Sequence, residues 1–235
     1  LASSAASDVY KRQDVSFTVN PGESVALVGP TGAGKSTIVN LISRFYNVND
    51  GKVLIDDQDI ADVTIHSLRA QMGIMMQDSF IFSGTIADNI RYGKLDATQE
   101  EIEKAGKIVC ADPFIREMSK GYETQVRERG SMLSPGQKQL ISFARTLLCD
   151  PAILILDEAT SSIDVQTEKA LQTGLNRMLK GRTSFIIAHR LSTIRGCDKI
   201  MYIDDGGIAE AGTHEELMKK KGRYYKLYTA QKSLH

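Results

Sequence analysis

The chain has 235 residues, enough for one large domain or a core with an inserted subdomain. Its 42% hydrophobic and 25% charged residues are ordinary for a globular chain, and Lys plus Arg and Asp plus Glu both total 29. A balanced charge removes the basic footprint of a nucleic-acid binder, and no stretch approaches the ~18 apolar residues that a membrane span needs.

The first residues, LASSAASDVYKRQ, start without Met and lack the apolar centre of a signal peptide. SAASDVYKRQ resembles translated adapter sequence, so residues 1–13 read as a non-native or disordered tail, with the domain proper over 14–235. From there Phe17–Val19 and Val25–Val28 read as strands around an Asn20-Pro21-Gly22 turn. Gly29–Ser36 is a glycine-rich loop, and Ile38, Val39, Leu41, Ile42 and Phe45 give the following helix an apolar face. Lys52–Ile55 reads as a further strand after an Asp50-Gly51 turn.

Residues 84–148 read as mainly helical. One helix opens at the capping box Thr98–Glu101, a second begins near Pro113 and stops by Gly121, and a third covers 137–148. Strands and helices then alternate: Ile153–Leu156, Thr167–Leu179, Ser184–Ile187 and Lys199–Ile203. Asp204–Gly207 reads as a hairpin turn, and the capping box Thr213–Glu216 opens a basic C-terminal helix. The apolar run at 153–156 lacks alternation, as a strand covered on both faces does. Cys110, Cys149 and Cys197 have no CxxC spacing and read as buried reduced thiols, which suggests a cytosolic compartment.

Two motifs carry phosphate chemistry. Gly29, Pro30, Thr31, Gly32, Ala33, Gly34, Lys35, Ser36 and Thr37 match the P-loop pattern between an apolar strand and an amphipathic helix. Such a loop turns its N–H groups toward phosphate, Lys35 bridges the β- and γ-phosphates, and Ser36 offers a hydroxyl to Mg²⁺. Ile153–Leu156 carries Asp157 and Glu158 to the carboxyl edge of the sheet, where Asp157 can hold Mg²⁺ and Glu158 can act as general base. To this point the residues specify a P-loop ATPase or GTPase.

Leu133-Ser-Pro-Gly-Gln137 opens the third predicted helix and offers a second anion cradle. It resembles the LSGGQ signature of the ABC transporter family, with Pro135 at a variable position. Gln77 in IMMQDSFIFSGTIADNI resembles the Q-loop of exporters, Glu128-Arg129-Gly130 the segment that touches their membrane domain, Ser161–Asp164 the D-loop, and His189 in FIIAHRLSTI the switch histidine. The resemblance runs from about Asp14 to the C-terminus and is nearest to bacterial multidrug and lipid exporters.

What this resemblance implies is an α/β fold: a P-loop NTPase core with a mainly parallel sheet, an N-terminal antiparallel β subdomain and an inserted α-helical subdomain over about 84–148. It implies ATP hydrolysis that powers export, on the cytoplasmic face of a membrane. A second nucleotide-binding domain pairs head to tail with this one, and a transmembrane domain is the other partner; nucleic acid is not. Lys35, Ser36, Gln77 and Asp157 hold Mg²⁺ and ATP, Ser134, Gly136 and Gln137 reach the γ-phosphate from the partner domain, and Asp164 of the D-loop segment is a further ATP-binding residue. Glu158 activates water and His189 contacts the γ-phosphate. The family's adenine-stacking aromatic falls near Ser4 in the suspect tail, and Tyr10 is not assigned that role. Alternative readings are a soluble ABC ATPase acting on nucleic acid or ribosomes, and a catalytically weak half of a heterodimeric transporter.

Overall fold

The computed structural model describes residues 15–76, 80–127, 130–157, 164–188 and 190–233. The first part of the chain forms β1 (Ser24–Val28), α1 (Lys35–Ile42), β2 (Leu54–Ile55), β3 (Gln58–Asp59), α2 (Ile65–Ala70) and β4 (Met72–Met75). The middle forms β5 (Gly84–Thr85), α3 (Ile86–Arg91), α4 (Gln99–Ile108), α5 (Asp112–Glu117), β6 (Gln125–Val126) and α6 (Pro135–Leu148). The last part forms β7 (Ile153–Asp157), α7 (Val165–Leu179), β8 (Thr183–Ile187), α8 (Leu191–Gly196), β9 (Lys199–Asp204), β10 (Gly207–Gly212), α9 (His214–Lys220) and α10 (Arg223–Lys232).

The main sheet has the order β10-β9-β1-β8-β7-β4. All its pairings are parallel except β9 with β10, which close as a hairpin at one edge. Because Cβ atoms alternate along a strand, β1 feeds both faces. Val25 and Leu27 pack with Ile38, Val39 and Ile42 of α1 and Leu68 of α2. Ala26 and Val28 join the larger cluster, which includes Leu140, Ile141 and Ala144 of α6 and Leu171 and Leu175 of α7. Burial on both faces explains the unbroken apolar runs of β1 and β7.

Between β4 and β7 lies a mainly helical stretch in which α3 and α4 pack on α6. Thr85, Thr98 and Ser134 each start a helix with a reciprocal capping box, so local side chains satisfy N–H groups that the helix cannot.

Several sequence expectations differ from the fold. Phe17–Val19 forms no ladder among the described residues, although Phe17 and Val19 do turn inward and Phe17 meets Phe185 edge-on at 6.4 Å. Alternation marks a buried face, but a strand also needs a paired neighbour. Of Lys52–Ile55, only Leu54–Ile55 pairs, with β3 across the Asp56-Asp57 turn. Both aspartates have positive φ (48° and 63°), which this residue type tolerates. That hairpin is the antiparallel element in the first part of the chain. Phe45 does not belong to the apolar face of α1: the chain leaves the helix at Ser43, and the exposed Phe45 ring lies under the Arg69 guanidinium at 4.4 Å. The C-terminal helix is two, broken at Lys221 (φ 52°). None of the three cysteines forms a disulfide among the described residues, but only Cys197 is buried; Cys149 is exposed, and its thiol donates to Gly93 O at 2.9 Å. The tail at 1–13 lies outside the described residues.

Candidate nucleotide site

β1 ends at Val28, and the chain then has to turn sharply into α1. Gly29 makes that possible. Its φ is 142°, and a Cβ there would stand 2.1 Å from the carbonyl oxygen of Ile203 on β9. The loop also passes through Gly34, the left-handed N-cap residue of α1 (φ 106°), which has no side chain to cap the helix. The first turn of α1 contains no acidic residue. The N–H groups of Gly32, Gly34, Lys35 and Ser36 make no hydrogen bond among the described residues. The result is a concave row of unpaired N–H donors at the positive end of a helix dipole, which suits an anion with several oxygens.

Lys35 is buried at 9% exposure. Its Nζ donates to Gly29 O at 2.9 Å and Pro30 O at 2.8 Å, so the loop holds its own cation over the cradle. Burial pushes the ammonium below the ordinary lysine range, and the Asp157 carboxylate works against that shift. Asp157 thus lies close enough to act on Lys35 electrostatically. Sheet register explains why: Leu27 pairs with Ile187, and Ile187 pairs with Asp157. Asp157 therefore stands level with the end of β1, two strands away, or about 10 Å at ordinary strand spacing.

Pro30, Thr31 and Gly32 are exposed along the loop, Ala33 is buried, and Thr37 begins the helical ladder by donating its N–H to Gly34 O at 3.1 Å. Ser36 is exposed, and its hydroxyl makes no hydrogen bond among the described residues. A hydroxyl and a carboxylate flanking an anion cradle are hard oxygen donors of the kind Mg²⁺ prefers, so Ser36 and Asp157 fit that ion.

The second loop is built differently. Ser134 caps α6: its Oγ accepts from Gln137 N at 3.2 Å, while Gln137 Oε1 accepts from Ser134 N at 3.0 Å. Gly136 is buried, and Met132 is exposed. No hydrogen bond or ion pair joins residues 133–137 to residues 29–37 among the described residues. Asp164 caps α7, accepting from Thr167 N at 2.9 Å, and that bond holds its carboxyl below the usual carboxylate range. Gln77, Glu128, Arg129, Glu158, Ser161 and His189 lie outside the described residues. Sequence reasoning missed the carbonyls of Gly29 and Pro30 as seats for Lys35, because backbone acceptors leave no residue-type signal.

The family model described as ABC transporter matches residues 12–161. An uncharacterized ABC transporter ATP-binding protein of Bacillus subtilis (strain 168), YfiC, is 55% identical over 92% of this chain and 36% of its own length. A fatty acid ABC transporter ATP-binding/permease protein of Mycobacterium bovis is 48% identical over 93% of this chain and 34% of its own length. A solved structure, a bacterial Atm1-family ABC exporter with ATP bound, superposes with a TM-score of 0.86 at 45% identity, covering 94% of this chain and 38% of the other. The chain thus spans about a third of the length of these relatives. It belongs to the ABC transporter family, as the ATP-binding domain of its exporter-type members.

Proposed function

We propose that this chain binds and hydrolyses ATP to drive export by a longer, membrane-embedded protein, working from the cytoplasmic face. The observation that carries the reading is the uncapped N-terminus of α1, with its unpaired N–H groups, beside Lys35 and across from Asp157. A triphosphate needs this combination of many short-range donors and a cation, with a carboxylate nearby to hold a divalent ion.

Gly32, Gly34, Lys35 and Ser36 would donate backbone N–H groups to the β- and γ-phosphates. Lys35 would leave the Gly29 and Pro30 carbonyls and follow the phosphate charge. Ser36, Asp157 and Gln77 would hold Mg²⁺, which when bound offsets phosphate charge. Glu158 would take a proton from the attacking water, whose oxygen bonds to the γ-phosphorus as the bond to the ADP oxygen breaks. His189 would orient the γ-phosphate. Phosphoryl transfer depends mostly on positioning and charge neutralisation, so a small set of fixed donors is sufficient.

Ser134, Gly136 and Gln137 would complete the site of a second domain rather than their own, and Asp164 would add to nucleotide binding. The capped, partly exposed start of α6 and its separation from residues 29–37 in hydrogen bonding support this reading. Hydrolysis would then require pairing, and pairing would move the surface around Gln77 and Glu128 that a transmembrane domain contacts. Phosphate release from ATP by the chain in Mg²⁺ tests the reading. Turnover that rises with protein concentration supports it, and failure to bind ATP at all overturns it.

A further inference from the structure

Strands β4, β7 and β8 and helices α6 and α7 meet around a cavity of about 10 Å³. Its apolar lining includes Met75 of β4, Leu156 of β7 and Ile186 of β8, and its polar lining is Gln139, Gln172 and Arg190. Gln139 lies on α6 at 4% exposure, and its Oε1 has no hydrogen-bond partner among the described residues. A buried amide oxygen left unpaired costs free energy, and native folds rarely tolerate it. The volume beside it is close to what a single water requires, and polar partners line it.

We infer that this cavity holds one ordered water bonded to the Gln139 amide oxygen, which makes Gln139 a positioning residue for hydrolysis. The water donates to Gln139 Oε1, and its oxygen accepts from the Arg190 guanidinium or the Gln172 amide. Both groups are also held elsewhere. Gln172 Oε1 accepts from Ser192 Oγ at 2.8 Å, its Nε2 donates to Asn176 Oδ1 at 3.2 Å, and Arg190 Nε faces Glu168 Oε1 at 3.9 Å. Water is the right class of ligand because it alone fits the volume and supplies the donor that Oε1 lacks.

The place of the cavity gives it a consequence. Gln139 lies just beyond Ser134–Gln137 on α6, Gln172 is on the helix that Asp164 caps, and Arg190 directly follows His189 in sequence. One water therefore ties the segment reaching toward a partner's nucleotide to the segment expected to sense the γ-phosphate. A shift of α6 on pairing would then reach Arg190, the residue next to position 189 in sequence, through that water.

The inference rests on the ATPase reading, so the test separates the two. Gln139→Met keeps the length of the side chain and removes the amide. Expected are unchanged ATP affinity, an unfolding midpoint no lower than wild type, and a kcat reduced by roughly 10-fold or more, as outer-shell partners typically cost. The loss should be non-additive with that of Arg190→Lys. A crystal structure of the wild-type chain should show the water, and one of Gln139→Met should not. A dry wild-type cavity, an amide oxygen bonded directly to a protein donor, or full kcat in Gln139→Met would overturn the inference while leaving the ATPase reading intact. An inactive wild-type chain would count against that reading instead, and the crystal structures would still decide whether the water is there.

Discussion

Arg145 on α6 and Asn89 on α3 are joined twice: the guanidinium donates Nε to Asn89 O at 2.8 Å and Nη2 to Asn89 Oδ1 at 3.0 Å. Nη1 reaches Phe80 O at 2.9 Å, and Asn89 in turn brackets Phe82, accepting from its N–H and donating to its carbonyl, both at 2.9 Å. The fork thereby fixes the chain that follows position 79 to the helix that starts at Ser134. Arg145→Ala should lower stability by roughly 1–3 kcal/mol, because it strands polar groups that the fork satisfied. Arg145→Lys should recover only part, since one ammonium cannot reproduce a planar fork. Urea unfolding would show this as a lower midpoint with an unchanged slope.

Gly29→Ala and Gly181→Ala separate backbone strain from collision. Both glycines have positive φ, but only Gly29 faces a backbone oxygen at 2.1 Å; Gly181 (φ 76°) has open space. Gly181→Ala should cost about 1 kcal/mol from conformation alone. Gly29→Ala should cost roughly 3 kcal/mol or more and also impair ATP binding, since β9 or the loop must give way. Equal costs in thermal melts would argue against the close approach of Gly29 to Ile203.

Lys35→Ala should weaken ATP binding by about 10–100-fold, the loss expected when charge-assisted bonds to phosphate vanish. Titration with a fluorescent ATP analogue checks this. Unchanged affinity would remove Lys35 from the site.

Glu158→Gln should bind ATP with wild-type affinity yet turn over ~10²–10⁴-fold more slowly, as loss of a general base does. Trapped ATP should then hold two chains together through size-exclusion chromatography. Wild-type turnover in this variant would reassign the base.

Acid stability should report on Asp198. Its Oδ2 accepts from Ser24 Oγ at 2.6 Å and Ser24 N at 2.8 Å, fastening the entry of β9 to β1, and the hydroxyl bond foremost holds its carboxyl below the usual carboxylate range. A depressed folded-state value means stability that is present above the unfolded value near ~3.9 and is lost as pH falls through the folded one. Asp198→Asn should be less stable at neutral pH and should show a flatter decline below about pH 4.

Local chemistry was the part of this fold most readable in advance. The capping boxes at Thr98 and Thr213 need only residues three apart, and both form. The box at Thr85 closes on Asp88 rather than Glu or Gln, and so α3 gave no clear start signal. The β2–β3 hairpin turns on two aspartates where glycine or asparagine would have announced it. Phe17–Val19 has the right alternation and no ladder partner among the described residues, a matter of tertiary pairing that periodicity cannot see. At the site, the glycine pattern and the apolar strand before Asp157 were legible because phosphate cradles demand them. The seat of Lys35 on two carbonyls, and the register that sets Asp157 level with Leu27, emerge only once the sheet is assembled.

The most direct test mixes two disabled chains. Lys35→Ala keeps an intact Ser134–Gln137 segment, and Ser134→Arg keeps an intact Gly29–Ser36 loop. If a nucleotide is gripped by one loop from each of two chains, the mixture should hydrolyse ATP although neither variant does so alone. A mixture as inactive as its components, from variants that remain folded, would contradict the shared site.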